Sequence, residues 1–135
     1  MTTTRGYHHG DLRRTLLAAA VDVIGESGPA ALSLRDLARR AGVSHAAPAH
    51  HFGDKAGLLT ALAVEGFDLL AEALERAGDD LLESGVAYVR FAVDHRAHFE
   101  VMFRPELYRA DDSEVTAARQ RAGAALRGGV AALPA

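Results

Sequence analysis

From Leu12 onward, apolar residues return every three or four positions: Leu12, Leu16, Leu17, Ala20, Val23 and Ile24, up to Gly25 and Gly28. That spacing predicts an amphipathic helix, with Asp11 as its N-cap and Gly28-Pro29 as its stop. Ser33 followed by Asp36 has the form of a capping box and opens a second helix, whose apolar face is Leu34, Leu37, Ala38 and Ala41. Gly42 suits the left-handed turn that ends it. Ser44 reads as the cap of a third helix. Pro48 falls near the end of its first turn, where a missing N–H does least harm, and Phe52 closes it against the core. Gly53-Asp54 is a turn, and Asp54 or Lys55 opens a fourth helix. Its broad stripe is Leu58, Leu59, Leu62, Phe67, Leu69, Leu70, Ala73 and Leu74, ending near Arg76.

Ala77–Asp80 predicts a break. In a fifth helix Leu82, Val86, Val89 and Val93 share one side, and Tyr88 and Phe91 the other. It falters at Asp94–Arg96. A short helix with Phe99, Met102 and Phe103 runs to Arg104-Pro105. After the polar stretch Arg109–Ser113, a last helix covers about Glu114–Leu133, rich in Ala and Gly, so its packing is expected to be thin. No strand alternation and no repeat stand out. The expected fold class is all-α.

The third helix carries small side chains where a core helix would carry large ones: VSHAAPAHHF, residues 43–52. Two helices joined through Ala41-Gly42-Val43 with small residues at their contact form a helix-turn-helix pattern. Ala38 lets the helices cross closely, and Val43 and Pro48 fill the wedge. The outer face is then His45, Ala46, Ala49 and His50. A short, bare helix can enter the major groove of DNA, where alanine methyls meet thymine methyls, and histidine can donate or accept at base edges and phosphates.

Charge changes this picture slightly. The net charge of −3 divides unevenly. Residues 1–55 hold seven Lys/Arg against five Asp/Glu, and residues 56–135 hold eight against thirteen. Five of the seven histidines, His8, His9, His45, His50 and His51, lie in the first part. A basic, titratable head on an acidic body favours an anionic partner for the head. An imidazole brought against phosphate is favoured in its charged form, so DNA affinity is expected to rise as pH falls from about 8 to 6. The absence of cysteine excludes disulfides and thiolate chemistry. The longest purely apolar run, Leu16–Val21, is far short of a membrane span, and no secretory pattern opens the chain, so a soluble cytoplasmic protein is the default.

Residues 12–62 resemble the DNA-binding head of the TetR family of transcriptional regulators. The likeness rests on a first helix ending in a glycine turn, then Ser-Leu-Arg-Asp-Leu-Ala, Ala-Gly-Val-Ser, and His-Phe followed three residues later by Lys. It implies that the third helix reads the major groove, with His45, Ala46, Ala47 and His50 near bases. Ser33, Arg35, Ser44 and Lys55 would lie near the phosphate backbone, and Lys55 is the only lysine in the chain. The family usually has Tyr where this chain has Ala49, so one backbone contact is expected to be missing and His50 to replace part of it. The resemblance divides the chain into a DNA-binding domain, residues 1–54, with 1–9 a flexible arm, and a helical effector-binding and dimerisation domain, residues 55–135. Family members usually continue further, with two last helices that build the dimer; a body lacking them is expected to expose an apolar stripe that invites association.

The resemblance further implies a homodimer on double-stranded operator DNA and a small-molecule effector in the body. Phe67, Tyr88, Phe91, His95, Phe99, Met102, Phe103 and Tyr108 are the candidate effector contacts. No cofactor is implied. The pairs His8-His9 and His50-His51 are adjacent, so neither shares a helix face as i, i+4 metal ligands do. Asp94, His95 and His98 lack a nucleophile, and no enzyme activity is expected. The rival reading is a helical ligand-binding protein that has lost specific operator binding.

Overall fold

The protein is described by a computed structural model covering residues 8–131, with side chains placed for residues 11–128. Residues 1–7 of the expected arm lie outside the described residues. The first helix, α1, His8–Ser27, takes in the arm's last two positions and Asp11. Asp11 therefore does not cap it. The acid stands in the first turn, where it complements the positive end of the helix dipole. Leu16, Leu17, Ala20, Val23 and Ile24 are buried, as their spacing requires. Gly28, at φ +84°, turns the chain into a 3-10 turn over Pro29–Ala31 that sequence periodicity does not reveal.

Helix α2, Leu34–Ala41, has Ser33 as its N-cap: the Asp36 N–H donates to Ser33 Oγ at 3.1 Å. Only this half of the capping box forms, because the Asp36 carboxylate instead accepts from Arg39 and Arg40. At the other end Gly42 takes φ +70°; its N–H donates to the Arg39 carbonyl, and the Val43 N–H reaches back to Ala38 at 3.0 Å. This pairing of a 6→1 and a 5→2 bond is the Schellman motif, which a side chain with Cβ would strain.

Helix α3 is short, Ala47–Phe52, and its N-cap is Ala46, without a side-chain cap bond. Ser44 is thus not the cap, contrary to the sequence expectation. The Ala47 N–H donates to the Ser44 carbonyl in a tight turn, and the ladder resumes with His50 N–H to Ala46. Pro48 explains this: it has no N–H to give Ser44, so helical bonding cannot run unbroken from Ser44. Its ring is fully buried in the wedge between α2 and α3.

Helix α4, Lys55–Ala77, is capped by Asp54, which accepts the Gly57 N–H at 2.8 Å. It runs through both hydrophobic clusters of the molecule. One holds Leu16, Ile24, Leu37, Phe52, Leu58 and Leu62 and extends to Val101, Tyr108 and Val115. The other holds Phe67, Leu70, Leu74, Phe91, Met102 and Ala122. Helix α5, Leu81–Asp94, is capped by Asp80; α6 is Arg96–Met102; a 3-10 turn spans Pro105–Leu107; and α7 is Ser113–Ala131. Its last expected residues, 132 and 133, lie outside the described ones. Among the described residues there is no strand.

One expectation about the body changes. Helix α7 is not thinly packed: it makes the most extensive helix contact of the molecule, along α4. Its Val115, Ala118 and Ala122 are buried, and small residues at such a contact let two helix axes approach closely. In α5 the aromatic side turns inward, with Phe91 buried, whereas Leu82, Val86, Val89 and Val93 face out; Leu82 is 75% exposed. Where α4 crosses α6, a Cβ on Gly66 would lie 2.5 Å from Met102 Sδ and 2.8 Å from its Cγ, so only glycine allows this approach.

Candidate nucleic-acid interface

The helix-turn-helix presents its outer face as the small residues require. Ser44, His45, Ala46, Ala49 and His50 are exposed, while Ala47 is half-buried beside Pro48. The face is therefore nearly free of bulk, with one imidazole at each end. The His50 ring meets His51 edge-on at 5.4 Å between centroids, and His51 lies 6.1 Å from Phe52, beside the head's core.

Around this face stand the residues expected near a phosphate backbone. Ser33 and Arg35 are exposed at the start of α2, and Arg35 makes no ion pair among the described residues. Lys55 opens α4, half-buried, with Nζ donating to the Ala30 carbonyl at 3.5 Å, which brings its charge to the loop leading into α2. The neighbours Arg39 and Arg40 are committed within the head: both pair with Asp36, and Arg40 also reaches Glu26 at 3.4 Å.

Residues 16–62 match the family described as bacterial regulatory proteins, tetR family. Over those residues the head of this chain is similar to the TetR family. It is 42% identical over 52 residues to a helix-turn-helix transcriptional repressor of Mycobacterium tuberculosis, a stretch that is 38% of this chain and 28% of that protein. It is 40% identical over 72 residues to the regulator BetI of Stenotrophomonas maltophilia, covering 50% of this chain and 37% of BetI. The similarity thus spans well under half the length of these curated relatives. Among solved structures, a protein of unknown function from a Rhodococcus species superposes with a TM-score of 0.73 at 43% identity, over 87% of this chain and 65% of that one. The TetR-family regulator PfmR from Thermus thermophilus superposes with a TM-score of 0.71 at 27% identity, over 87% of this chain and 69% of PfmR.

In this chain, several residues that the sequence reading did not single out hold the head in place. The Arg13 guanidinium lies 5.1 Å over the Phe52 ring, tying α1 to the end of α3. Arg109, from the loop before α7, donates to Asp54 Oδ2 at 2.7 Å, so the residue that caps α4 also ties the head to the body. The Arg109 N–H donates to Thr60 Oγ1 at 3.0 Å. The bond from Arg109, helped by the Gly57 N–H, holds the Asp54 carboxyl below its ordinary value, and Asp54 in turn raises Arg109. Deeper in, His98 Nε2 and Glu65 Oε1 meet at 2.7 Å between α6 and α4, and this bond keeps the Glu65 carboxyl low against the opposing effect of its burial. Arg109 lies 55 residues from Asp54, so no local signal pairs them.

The eight candidate effector contacts do not form one group. Phe67, Tyr88, Met102, Phe103 and Tyr108 line a cavity of about 380 Å³ between α4, α5, α6 and α7. Phe91 and His95 line a separate groove of about 300 Å³ between α4 and α5. Phe99 lines neither and packs on Phe103, with centroids 4.8 Å apart, and on Tyr88. A larger concavity, about 900 Å³, is bounded by α5 alone, from Leu81 to Asp94, and is a helix face rather than an enclosed site. No helix among the described residues is long and apolar enough to cross a membrane.

Proposed function

We propose that this chain is a sequence-specific DNA-binding transcriptional regulator of the cytoplasm, acting as a repressor that a small-molecule effector releases from its operator. The observation that carries this reading is the outer face of α3, exposed and nearly bare between His45 and His50. Base contacts are assigned to His45, Ala46, Ala47 and His50, with Ala49 on the same DNA-facing side, and backbone contacts to Ser33, Arg35, Ser44 and Lys55. The head then comprises residues 1–54, and residues 55–135 serve effector binding and dimerisation. A homodimer would place one α3 in each of two successive major grooves, so the operator is roughly palindromic, with half-sites about 34 Å apart or a multiple of that. An effector acts only by favouring a body conformation whose head spacing misfits the two half-sites.

The test is the solution mass of the chain together with retention of a randomised duplex pool. A dimer that enriches a palindrome supports the proposal. Two features favour the rival reading, a ligand-binding protein without operator specificity: Ala49 removes a larger side chain from the reading face, and α3 has only six residues. A chain that enriches no sequence, yet binds small molecules, would establish that rival instead.

A further inference from the structure

The cavity between α4, α5, α6 and α7 has apolar walls and one charged lining residue. Phe67, Leu74, Tyr88, Met102 and Leu126 form much of the wall, and the charge is Arg119. At about 380 Å³ it is within the range that small-ligand sites occupy. Arg119 and Tyr108 line the cavity together, and the Arg119 charge opposes the rise that burial gives the Tyr108 phenol. The Tyr108 O–H is already given to the Met102 carbonyl at 2.6 Å, so that oxygen can only accept from Arg119. No carboxylate lies within ion-pair distance of Arg119 among the described residues. Glu106, which acts on Tyr108, is paired with Arg104 at 3.3 Å.

One turn further along α7, Gly123 also lines the cavity. The guanidinium of Arg127, which is not part of the lining, would lie 3.2 Å from a Cβ at Gly123. The groove lined by Phe91 and His95 differs in kind: it carries Arg76, Glu83, Arg90 and Asp94, charges of both signs that select no ligand charge.

We propose that the Arg119 cavity takes a small organic anion, a carboxylic acid with an aromatic or branched apolar body, whose carboxylate is held by Arg119 while the body fills the space against Phe67 and Met102. This rests on the reading of the body as the effector-binding part of the chain and names the class of effector. Arginine stays charged at any physiological pH and presents paired donors that match a carboxylate. Arg119 is exposed at the cavity mouth, so a neutral ligand leaves its donors to water and forgoes only the charge-assisted bond, and the expected discrimination is by charge as well as by size.

Calorimetric titration of the full chain with three probes of one shape tests this: 4-phenylbutyrate, 4-phenylbutanamide and 4-phenylbutylamine. The carboxylate is expected to bind about ten-fold or more tighter than the amide, and the amine more weakly than either. Arg119→Gln should remove that preference while the amide affinity changes by less than about two-fold. A purely structural Arg119 would instead lower the melting temperature without ligand and leave the preference in place. The proposal is overturned if the amide binds the unaltered chain as well as the carboxylate does, if Arg119→Gln keeps the preference, or if none of the three binds at about 1 mM. Duplex retention is measured on the same samples without probes. Retention of DNA with no charge preference sinks only this inference, and a charge preference without DNA retention sinks only the operator-binding proposal.

Discussion

Single residues in this chain have tasks that can be separated by substitution. Lys55 brings one compact positive charge to the loop before α2 and no base-reading geometry. In the proposed complex, Lys55→Ala should weaken binding to all duplexes alike and lessen the slope of log affinity against log salt by about one. A loss confined to one base position would assign Lys55 to base reading. Gly66 has a different task. With Met102 Sδ 2.5 Å from where its Cβ would stand, and Met102 buried, Gly66→Ala should destabilise the chain by about 1–3 kcal/mol, seen as a lower melting temperature. An unchanged melting temperature would show that α4 and α6 can separate freely. Nothing around Gly66 in the sequence announces this: it lies inside a helical pattern, and its crowding comes from a side chain 36 residues away.

At the scale of elements, the sequence was most legible where bonding is local. The Ser33 cap of α2 and the Gly42 turn each depend on partners within five residues and are found as spacing predicts, while the equally local Asp54 cap of α4 decides a start that spacing leaves between Asp54 and Lys55. The misread cap at Ser44 also has a local cause, since Pro48 withholds the N–H that would have carried the helix back to it. The misjudged packing of α7 has a distant one. Alanines look weak within their own helix and become useful only against the groove of another. The candidate interface was legible for the same reason as α2: its exposed residues follow from one short helix. The body residues were not, because aromatic spacing does not say which of two hollows a ring will line. Asp54 joins both kinds of information, capping α4 locally and holding Arg109 across the fold. Asp54→Ala should lower the melting temperature by a few degrees, and Asp54→Asn, which can still accept the Gly57 N–H, by less. Equal losses would mean that the exposed Arg109 pair outweighs the cap.

For the whole molecule, charge should govern both stability and binding, in different pH ranges. Glu65 has its carboxyl lowered by the bond from His98. A depressed carboxyl contributes stability that is complete above its unfolded value and is lost as pH falls through the lower folded one. The melting temperatures of the chain and of Glu65→Gln should therefore converge as pH drops below about 4. A gap that persists at pH 3 would show that the charge of Glu65 is not what matters. Operator affinity should respond at higher pH, strengthening from about pH 8 to 6 as His45 and His50 gain charge beside phosphate; flat isotherms at fixed salt would exclude those imidazoles from the contact.

Helix α4 enters both hydrophobic clusters, so head and body share one rigid rod. Its 23 residues span about 35 Å. That length works as a lever arm. Rotating the rod by about 5° at its body end carries the tip, with α3 attached, through about 3 Å, close to the rise of one base pair. In the proposed complex, a ligand in the body would not need to deform the reading head at all to move it out of step with DNA; tilting the rod would be enough.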